Sequence, residues 1–314
     1  MESTNNYNLK FNPGSAIVLT VIHGMALLAF FPFAFSWSAV GVMFFLYWLT
    51  GSLGICLAYH RYLTHRSFKL RKWLAYTLAF IGCLAFQSGP IYWAGQHRMH
   101  HAGSDTEEDP HSAAKGFWWS HILWTFFLHT KFNDEKVIRD YTNDFNKDKF
   151  YQFLDKYFMP IQFVFALILY AIGGIPWVVW GIFVRLVLAL HFTWLVNSAA
   201  HCFGYTNFSL KGDLSTNCWW VGLLAWGEGW HNNHHAFPNS ARHGLRAWEI
   251  DMTWLIICLL EKLGLAKDIK TVKLISNPDF RKNGVGNESA PFIVEKITRS
   301  VVPSGYEKAN SLYF

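Results

Sequence analysis

Histidine is frequent in this 314-residue chain, with 15 copies, and most of these are clustered. His60 and His65 form an HxxxxH cluster, and an HxxHH cluster follows at 97–101 and again at 231–235. Imidazole is a good ligand for iron, zinc and copper. The clusters therefore predict a transition-metal site.

The spacing within each cluster predicts how the imidazoles point. Positions i, i+3 and i+4 of a helix share one face, so each HxxHH cluster is expected to aim three imidazoles at one point. Asn197 and His201 are four residues apart and also share a face. His60 and His65 are five apart and diverge by about 140° on a straight helix. That pair suits either the frayed end of a helix or two ligands for two different metals.

The clustered histidines are too many for one first-row ion, so they predict a two-metal site. The nine are His60, His65, His97, His100, His101, His201, His231, His234 and His235. A metal-bound histidine usually donates its other N–H to a carboxylate, carbonyl or water, and Asp105, Asp109 and Glu228 are predicted to accept such bonds. The other six histidines are expected to be ordinary core or surface residues: His23, His111, His121, His129, His191 and His243.

Long apolar stretches must carry these clusters. No Asp, Glu, Lys or Arg occurs in residues 11–59, and a second apolar stretch, interrupted at Gly173–Pro176, carries only Arg185 before residue 200. A bilayer-spanning helix needs about 20 apolar residues. We therefore predict an all-α membrane protein with four transmembrane helices in two hairpins and a helical cytoplasmic cap holding the di-metal site. The spans are placed at about 15–33, 38–58, 157–172 and 177–199.

The remaining segments are polar. A short segment at 1–14 precedes the membrane domain at 15–275, whose cap is 59–156 and 200–275, and a polar tail is predicted at 276–314. The net charge is +6, with 27 Lys and Arg, and neither hairpin turn carries a basic residue. The positive-inside rule then puts the cap, the metal site and both termini in the cytoplasm. The basic residues form no dense stripe, which disfavours nucleic-acid binding.

These motifs resemble those of the integral-membrane fatty-acid desaturases. HxxxxH, HxxHH and HxxHH in this order, with Asn197–His201 after the last predicted span, are similar to the Δ9, stearoyl-type branch, and most of all to cyanobacterial acyl-lipid Δ9 desaturases. Gly227–Trp230 before the third cluster adds to the likeness, as do Asp109–His111 and Lys115–His121. The resemblance covers about residues 15–270.

The resemblance implies a non-haem di-iron centre that uses O₂ and two supplied electrons to place a cis double bond in an acyl chain. The nine histidines would be ligands, with Asn197 acting through a water. It also implies an acyl tunnel, whose bend would be shaped by Gln87, Trp93, Thr193 and Trp194. Trp48 and Ser52 lie where the family's tunnel ends, and ordinary lipid-facing packing is the alternative for Trp48.

Two departures from the animal acyl-CoA enzymes favour an acyl chain esterified in a membrane glycerolipid. Gln96 stands where those enzymes have an acidic residue, and Ser88–Gly89 replaces a polar pair. The sequence has no His-Pro-Gly-Gly motif of a cytochrome b5-like domain, so a separate electron carrier is expected. Resemblance to the cyanobacterial branch implies ferredoxin, and a thylakoid or plasma membrane.

Two other functions fit part of the pattern. A related di-iron hydroxylase or oxygenase of lipids or alkanes usually has three residues, not four, between the histidines of its first cluster. A histidine-rich metal transporter would place its ligands in the middle of the membrane, often with carboxylates, whereas here the clusters flank the predicted spans.

Overall fold

The computed structural model describes residues 9–276 and 292–299, which are mostly helical. The α-helices in these ranges are α1 Pro13–Ala26, α2 Trp37–Trp48, α3 Lys72–Cys83, α4 Pro90–Ala102, α5 Phe117–His121, α6 Glu135–Tyr141, α7 Lys149–Val178, α8 Arg185–Ser198, α9 Trp219–Leu224, α10 His231–Ala236 and α11 Met252–Lys262. Two π-helical segments, Leu49–Thr64 and Val179–Val184, continue α2 and join α7 to α8. Short 3-10 turns fill several of the connections.

Three helical segments among the described residues are long and apolar enough to cross a membrane. They are Pro13–Phe30, Trp37–Thr64 and Lys149–His201. The middle segment, Trp37–Thr64, is the most deeply buried and is called here the central helix. In its most apolar stretch of 18 residues, 44% of the residues are buried, against 11% in each of the other two segments. The exposed side chains of the outer segments are largely apolar, including Phe163, Leu167 and Ile172, as expected for helices that face lipid.

The third segment contains a break. It has 53 residues, which as one straight helix would measure about 80 Å, far more than the roughly 30 Å of a bilayer core. Gly174 has non-helical dihedral angles of φ 64° and ψ −158°, and only glycine adopts a positive φ without strain. The break therefore falls inside the predicted interruption at Gly173–Pro176.

The π-helical segment Leu49–Thr64 changes the geometry of the first histidine cluster. A π-helix is closed by i→i+5 hydrogen bonds, and the His65 N–H donates such a bond to the His60 carbonyl at 3.1 Å. The two imidazoles consequently lie on one side, with ring centroids 4.7 Å apart. The expected divergence of about 140° was wrong, because it assumed α-helical periodicity.

Glycine lets α3 approach this segment closely. A Cβ atom on Gly54 would lie 2.6 Å from the backbone of Gly82, so the two helices pack with their backbones almost in contact. The main buried cluster joins side chains of both helices, such as Leu57 and Ala79, to Ile91 of α4 and Ile257 of α11. The helices that carry the first two histidine clusters thus share one core.

Arg185 faces the interior of the bundle, as expected for a charge within a span. Its side chain is fully buried. It donates to the carbonyls of Gly181 at 2.7 Å and Leu84 at 2.9 Å, and to Thr50 Oγ1 at 3.1 Å. It links α8 to the central helix and to the end of α3.

The described residues include strands that an all-α prediction missed. They form three antiparallel pairs: β1 Leu9–Phe11 with β3 Phe127–His129, β2 Lys69–Leu70 with β4 Ala266–Lys267, and β5 Ile269–Ser276 with β6 Phe292–Arg299. In the last pair both sequences are rich in β-branched residues, which favour strands. Part of the predicted polar tail is therefore a strand, while 277–291 and 300–314 lie outside the described residues.

Candidate metal centre

The structure brings all nine clustered histidines together in two adjacent groups. Within each group the ring nitrogens that could bind an ion lie within 4.8 Å of one another. The first, called here the five-histidine group, is His60, His65, His97, His101 and His234. The second, the four-histidine group, is His100, His201, His231 and His235. This arrangement can hold two metal ions.

Each HxxHH cluster is divided between the two groups. In α4, His97 and His101 join the five-histidine group while His100 joins the other. In α10 the pattern is reversed, and only His234 joins the five-histidine group. The expectation that each cluster aims three imidazoles at one point was wrong. Residues i and i+4 are about 40° apart around a helix, whereas i+3 lies about 60° to the other side, so it faces the other group.

The distances between ring nitrogens fit metal coordination. His234 Nε2 lies 2.9 Å from His101 Nε2 and 3.1 Å from His60 Nε2. In the four-histidine group, His100 Nε2 and His235 Nε2 are 3.3 Å apart. Two nitrogens that bind one ion at about 2.1 Å and at right angles would be about 3 Å apart. The Nε2 atoms of His65 and His201 are buried and have no hydrogen-bond partner in the part of the chain that the structure describes. This is expected for nitrogen atoms that bind a metal ion.

The surroundings favour the neutral form of most of these imidazoles, which is the form that binds metals. Burial lowers the pKa of most of the ligand candidates well below the usual value, and neighbouring imidazoles lower it further. The residues affected in this way are His65, His97, His101, His231, His234 and His235. Burial also opposes protonation of His100, but the carboxylate of Asp109 raises the pKa of that imidazole.

Carboxylates contact the outer nitrogens of both groups. His100 Nδ1 donates to Asp109 Oδ2 at 2.9 Å, and His201 Nδ1 donates to Asp105 Oδ2 at 2.9 Å. His60 Nδ1 lies 2.7 Å from Glu228 Oε2. All three predicted acids therefore lie beside ligand candidates, and each leaves the Nε2 atom of its histidine directed at the group.

Sequence reasoning missed a fourth acid of this kind. Asp213 Oδ2 accepts a hydrogen bond from His235 Nδ1 at 2.6 Å. Asp213 lies in the connection between α8 and α9, 22 residues before its partner, and no motif marks it. It could not be found from spacing, because the contact depends on how this connection folds back over α10.

Two histidines that were expected to be ordinary core or surface residues border the centre. His243 Nδ1 lies 3.1 Å from Glu228 Oε2, and its ring centroid lies 4.4 Å from that of His234. The His111 ring lies 4.4 Å from that of His100. Both are buried. Neither histidine belongs to a cluster, so the sequence did not indicate that they would border the centre.

Three further histidines form a hydrogen-bonded row away from the metal groups. His23 Nε2 and His191 Nε2 are 3.0 Å apart, and His191 Nδ1 lies 3.0 Å from His121 Nε2. His121 Nδ1 in turn lies 3.0 Å from Ser198 Oγ. The row ties α1, α5 and α8 together, which agrees with the structural role expected for these histidines.

Two cavities meet at the five-histidine group. The larger, of about 520 Å³, runs along α1, α4 and α8, and the smaller, of about 70 Å³, lies between the central helix and α8. Their shared lining residues are Gln87, Trp93, His97, Thr193 and Asn197. Trp194 lines the larger cavity only. A chain passing from one cavity to the other would therefore pass directly beside the metal centre.

Hydrogen bonds fix the junction between the cavities. Gln87 Nε2 donates to Thr193 Oγ1 at 2.9 Å, and Trp93 Nε1 donates to Gln87 Oε1 at 3.3 Å. The structure thus groups the residues that were predicted to shape a bend.

The two residues predicted at the end of the tunnel are placed differently. Tyr47 and Gly51 line the smaller cavity, while Trp48 and Ser52 line neither of the two cavities. Ser52 Oγ instead lies 3.4 Å from Thr253 Oγ1. A role for Trp48 or Ser52 in binding the end of the chain stays a prediction.

These features define a class of protein: membrane-type helices carry a histidine-rich site suited to two metal ions, at the junction of two cavities. The chain belongs to the fatty acid desaturase family, whose model matches residues 35–254. The predicted family is confirmed, and the chain is an oxidoreductase. Family membership disfavours a metal transporter.

Curated relatives agree with this assignment. The chain is 54% identical to an sn-1 stearoyl-lipid 9-desaturase of Synechocystis over 85% of this chain and 83% of that protein. It is 51% identical to an sn-2 palmitoyl-lipid 9-desaturase of Nostoc over 84% of this chain and 90% of the relative. A palmitoyl-monogalactosyldiacylglycerol delta-7 desaturase of Arabidopsis thaliana is 48% identical over 82% of this chain and 68% of the relative.

Proposed function

We propose that this enzyme is an O₂-dependent desaturase that introduces a cis double bond at the Δ9 position of a saturated acyl chain esterified in a membrane glycerolipid. The observation that carries the proposal is the histidine-rich double site at the junction of two cavities. The Synechocystis and Nostoc relatives are both named as lipid 9-desaturases, which favours this position and this substrate class.

Two iron ions are proposed as the cofactor. The five-histidine and four-histidine groups would hold one ion each, and Asn197, which lines both cavities, would complete the second site through a water. Bound iron would supply the O₂ activation and C–H cleavage that no acid–base side chain can perform on a methylene. Burial and neighbouring imidazoles favour the neutral form of most of the ligand candidates. Asp105, Asp109, Asp213 and Glu228 would instead hold the outer nitrogens of their histidines, so that the inner nitrogens stay aimed at the site.

The cavities are proposed to bind the acyl chain on either side of the reacting carbons. Gln87, Trp93, Thr193 and Trp194 would hold the bend and exclude water from the metal centre. Precise placement matters because the methylenes along a chain are chemically alike, so only position decides which pair reacts. Which residues close the far end stays open between Trp48 with Ser52 and the cavity-lining Tyr47 with Gly51.

We propose four spans for the membrane topology. The break at Gly174 would divide the longest segment into two antiparallel spans, and the turn between α1 and α2 would join the other two. The polar cap, the metal centre and both termini would then lie in the cytoplasm, in agreement with the distribution of basic residues. If the source is cyanobacterial, the membrane would be the thylakoid or the plasma membrane.

Electrons are proposed to come from a separate carrier, with ferredoxin as the candidate. The reaction consumes two electrons and two protons together with O₂ and two substrate hydrogens, and it releases two waters. Nothing in the proposed residue roles supplies those electrons, so an external donor is required.

Expression in a host that lacks Δ9 unsaturation tests the proposal. New Δ9 monoenes in membrane lipids, with about two irons per purified chain, are the expected result. Hydroxy acids without monoenes would support the related hydroxylase instead and refute the desaturase. Positional analysis of the product lipids would then identify the headgroup and the sn position.

A further inference from the structure

The strand β5 of the pair β5–β6 is hydrogen-bonded to segments that adjoin the histidine clusters. The Lys270 N–H donates to the Ser67 carbonyl at 2.8 Å, and the Lys270 carbonyl accepts from the Ala241 N–H at 2.7 Å. Ser67 is two residues beyond His65, a member of the five-histidine group. One edge of β5 is therefore bonded to the segment that ends the first histidine cluster and to the segment that follows the third.

A second connection leads from the same strand to His60. The Ala241 carbonyl accepts from Arg61 Nη1 at 2.8 Å. Arg61 Nε and Nη2 donate to Glu228 Oε1 at 3.2 and 3.0 Å, and Glu228 Oε2 lies 2.7 Å from His60 Nδ1. Backbone and side-chain contacts thus run without interruption from β5 to two members of the five-histidine group.

The outer part of this strand pair is basic. Together with the segment before it, 261–268, the pair contains six Lys and Arg but three Asp and Glu. Two of these acids lie in ion pairs, Asp268 with Lys69 at 2.9 Å and Glu261 with Arg299 at 3.5 Å. The balance of charge on this surface is therefore positive.

Two exposed lysines stand together on one face of the pair. Lys270 is opposite Thr298, and Val272 is opposite Lys296. Cross-strand partners share a face, and the diagonal neighbours are about 7–8 Å apart, so Lys270 and Lys296 form a compact cationic patch. Both side chains are exposed. The patch therefore lies on the strand pair whose edge is hydrogen-bonded to Ser67 and Ala241, next to the first and third histidine clusters in sequence.

We propose that this face of β5–β6, called here the lysine face, is the docking surface for a small acidic one-electron carrier protein of the ferredoxin type. This inference rests on the proposed function, which needs two electrons from outside. Each reduced carrier would give up one electron and leave oxidised, and two such deliveries would supply one turnover. Positive and negative surfaces attract, which speeds encounter and fixes orientation.

The test uses the full-length protein in lipid nanodiscs and a plant-type [2Fe–2S] ferredoxin as the probe. The variant Lys270→Glu/Lys296→Glu is expected to weaken ferredoxin binding at least tenfold. It should raise the KM for ferredoxin by a similar factor while kcat at saturating ferredoxin is kept. Turnover driven by a small chemical reductant should be unchanged, since the metal centre and the cavities are untouched.

Matched variants keep the test specific. Lys136→Glu/Lys147→Glu makes the same change of charge at two exposed residues in and just after α6, which is distant in sequence from the lysine face. It should leave ferredoxin affinity within twofold of wild type. The Lys270→Gln/Lys296→Gln variant removes the two charges without reversing them, so it is less prone to misfold. It should weaken binding by about threefold. Added salt should weaken wild-type binding more than that of the double Glu variant.

Equal ferredoxin affinity in the wild type and the Lys270→Glu/Lys296→Glu variant would overturn the proposal. Loss of binding to vesicles containing phosphatidylglycerol, with ferredoxin affinity unchanged, would also overturn it and assign the lysine face to anionic lipid. Ferredoxin binding is measured without turnover, so it is independent of whether the product is a monoene. Failure of the proposed function would instead appear as no monoene with either reductant.

Discussion

At the scale of single residues, the centre depends on pairs in which a carboxylate orients an imidazole. His234 lies between His101 and His60, with its Nε2 atom 2.9 and 3.1 Å from theirs, and its Nδ1 atom has no hydrogen-bond partner among the described residues. It is also fully buried. Its contribution is therefore expected to fall on the metal site and not on the membrane helices.

The variant His234→Ala is predicted to abolish desaturation while leaving the amount of membrane-inserted protein unchanged. Removing one ligand of the five-histidine group should also lower the iron content. Product analysis and iron analysis on the same purified sample would check both. Desaturation at the wild-type level would show that His234 is not a ligand.

A second prediction for a single residue concerns Asp213, which the sequence did not identify as part of the centre. The variant Asp213→Asn removes the charge that faces His235 Nδ1, and loss of such an orienting partner typically lowers metal affinity by about 10- to 100-fold. Chelator competition would measure this affinity. The variant Asp140→Asn, at an exposed position of α6, is the control and should bind iron like the wild type. Equal affinity in both variants would remove Asp213 from the centre.

At the scale of elements, the π-helical segment decides the geometry of the first histidine cluster. It keeps His60 and His65 on one side, and its backbone lies against that of α3 at Gly54 and Gly82. A helix with α-helical periodicity would have sent the two imidazoles about 140° apart. The close packing of this segment is therefore expected to matter for both stability and metal binding.

Two glycines of the same continuous helix allow a matched comparison. In Gly54→Ala the new Cβ would meet the backbone of Gly82 at 2.6 Å, whereas at Gly41 no heavy atom lies within 4 Å. Overpacking of this kind typically costs about 1–3 kcal/mol, so Gly54→Ala should lower the melting temperature and the iron content. Gly41→Ala should do neither. Thermal unfolding in detergent would measure the difference, and identical curves for the two variants would contradict the close packing.

At the scale of the whole molecule, the proposed four spans give a direct test of topology. In a cysteine-free background, a cysteine at Ser36, in the turn between α1 and α2, should be labelled only from the side opposite the cap. A cysteine at Lys147, in the cap, should be labelled from the cytoplasm. Membrane-impermeant thiol reagents on oriented vesicles would read both positions. Labelling of both from one side would contradict the hairpins.

Metal removal tests whether the two groups stabilise the whole cap. A ligand that binds only the folded state raises the free energy of unfolding by RT ln(1 + [L]/Kd). This is about 4 kcal/mol when the ligand concentration is 1,000 times Kd. Stripping the metal should therefore lower the melting temperature, and adding ferrous iron back should restore it. The His234→Ala variant should respond less in both steps. An unchanged melting temperature after stripping would argue against a structural contribution of the metal.

Much of the site could be predicted from the sequence. The clusters and the Asn197–His201 pair identified all nine ligand candidates, and proximity to a cluster along the chain identified Asp105, Asp109 and Glu228 as acids of the centre. Only Asp109 contacts a histidine near it in sequence, whereas Asp105 and Glu228 contact the distant His201 and His60. Asp213, His243 and His111 could not be found, since each reaches the centre through a loop whose path is set by tertiary packing. The strands were missed for a related reason: each is formed by pairing with a segment that lies elsewhere along the chain.

The sequence by itself determined the chemistry of this protein. Residue types and their spacing indicated a histidine-rich site suited to two metal ions, helices apolar enough to span a membrane and the desaturase family, because local periodicity and motif order are properties of the chain alone. Only the tertiary structure decided which group each imidazole joins, which residues the two cavities share beside the five-histidine group, and how the basic strand pair is tied to the segments next to the clusters. Those depend on a π-helix and on backbone contacts between distant segments, and such long-range packing leaves no periodic pattern in the sequence.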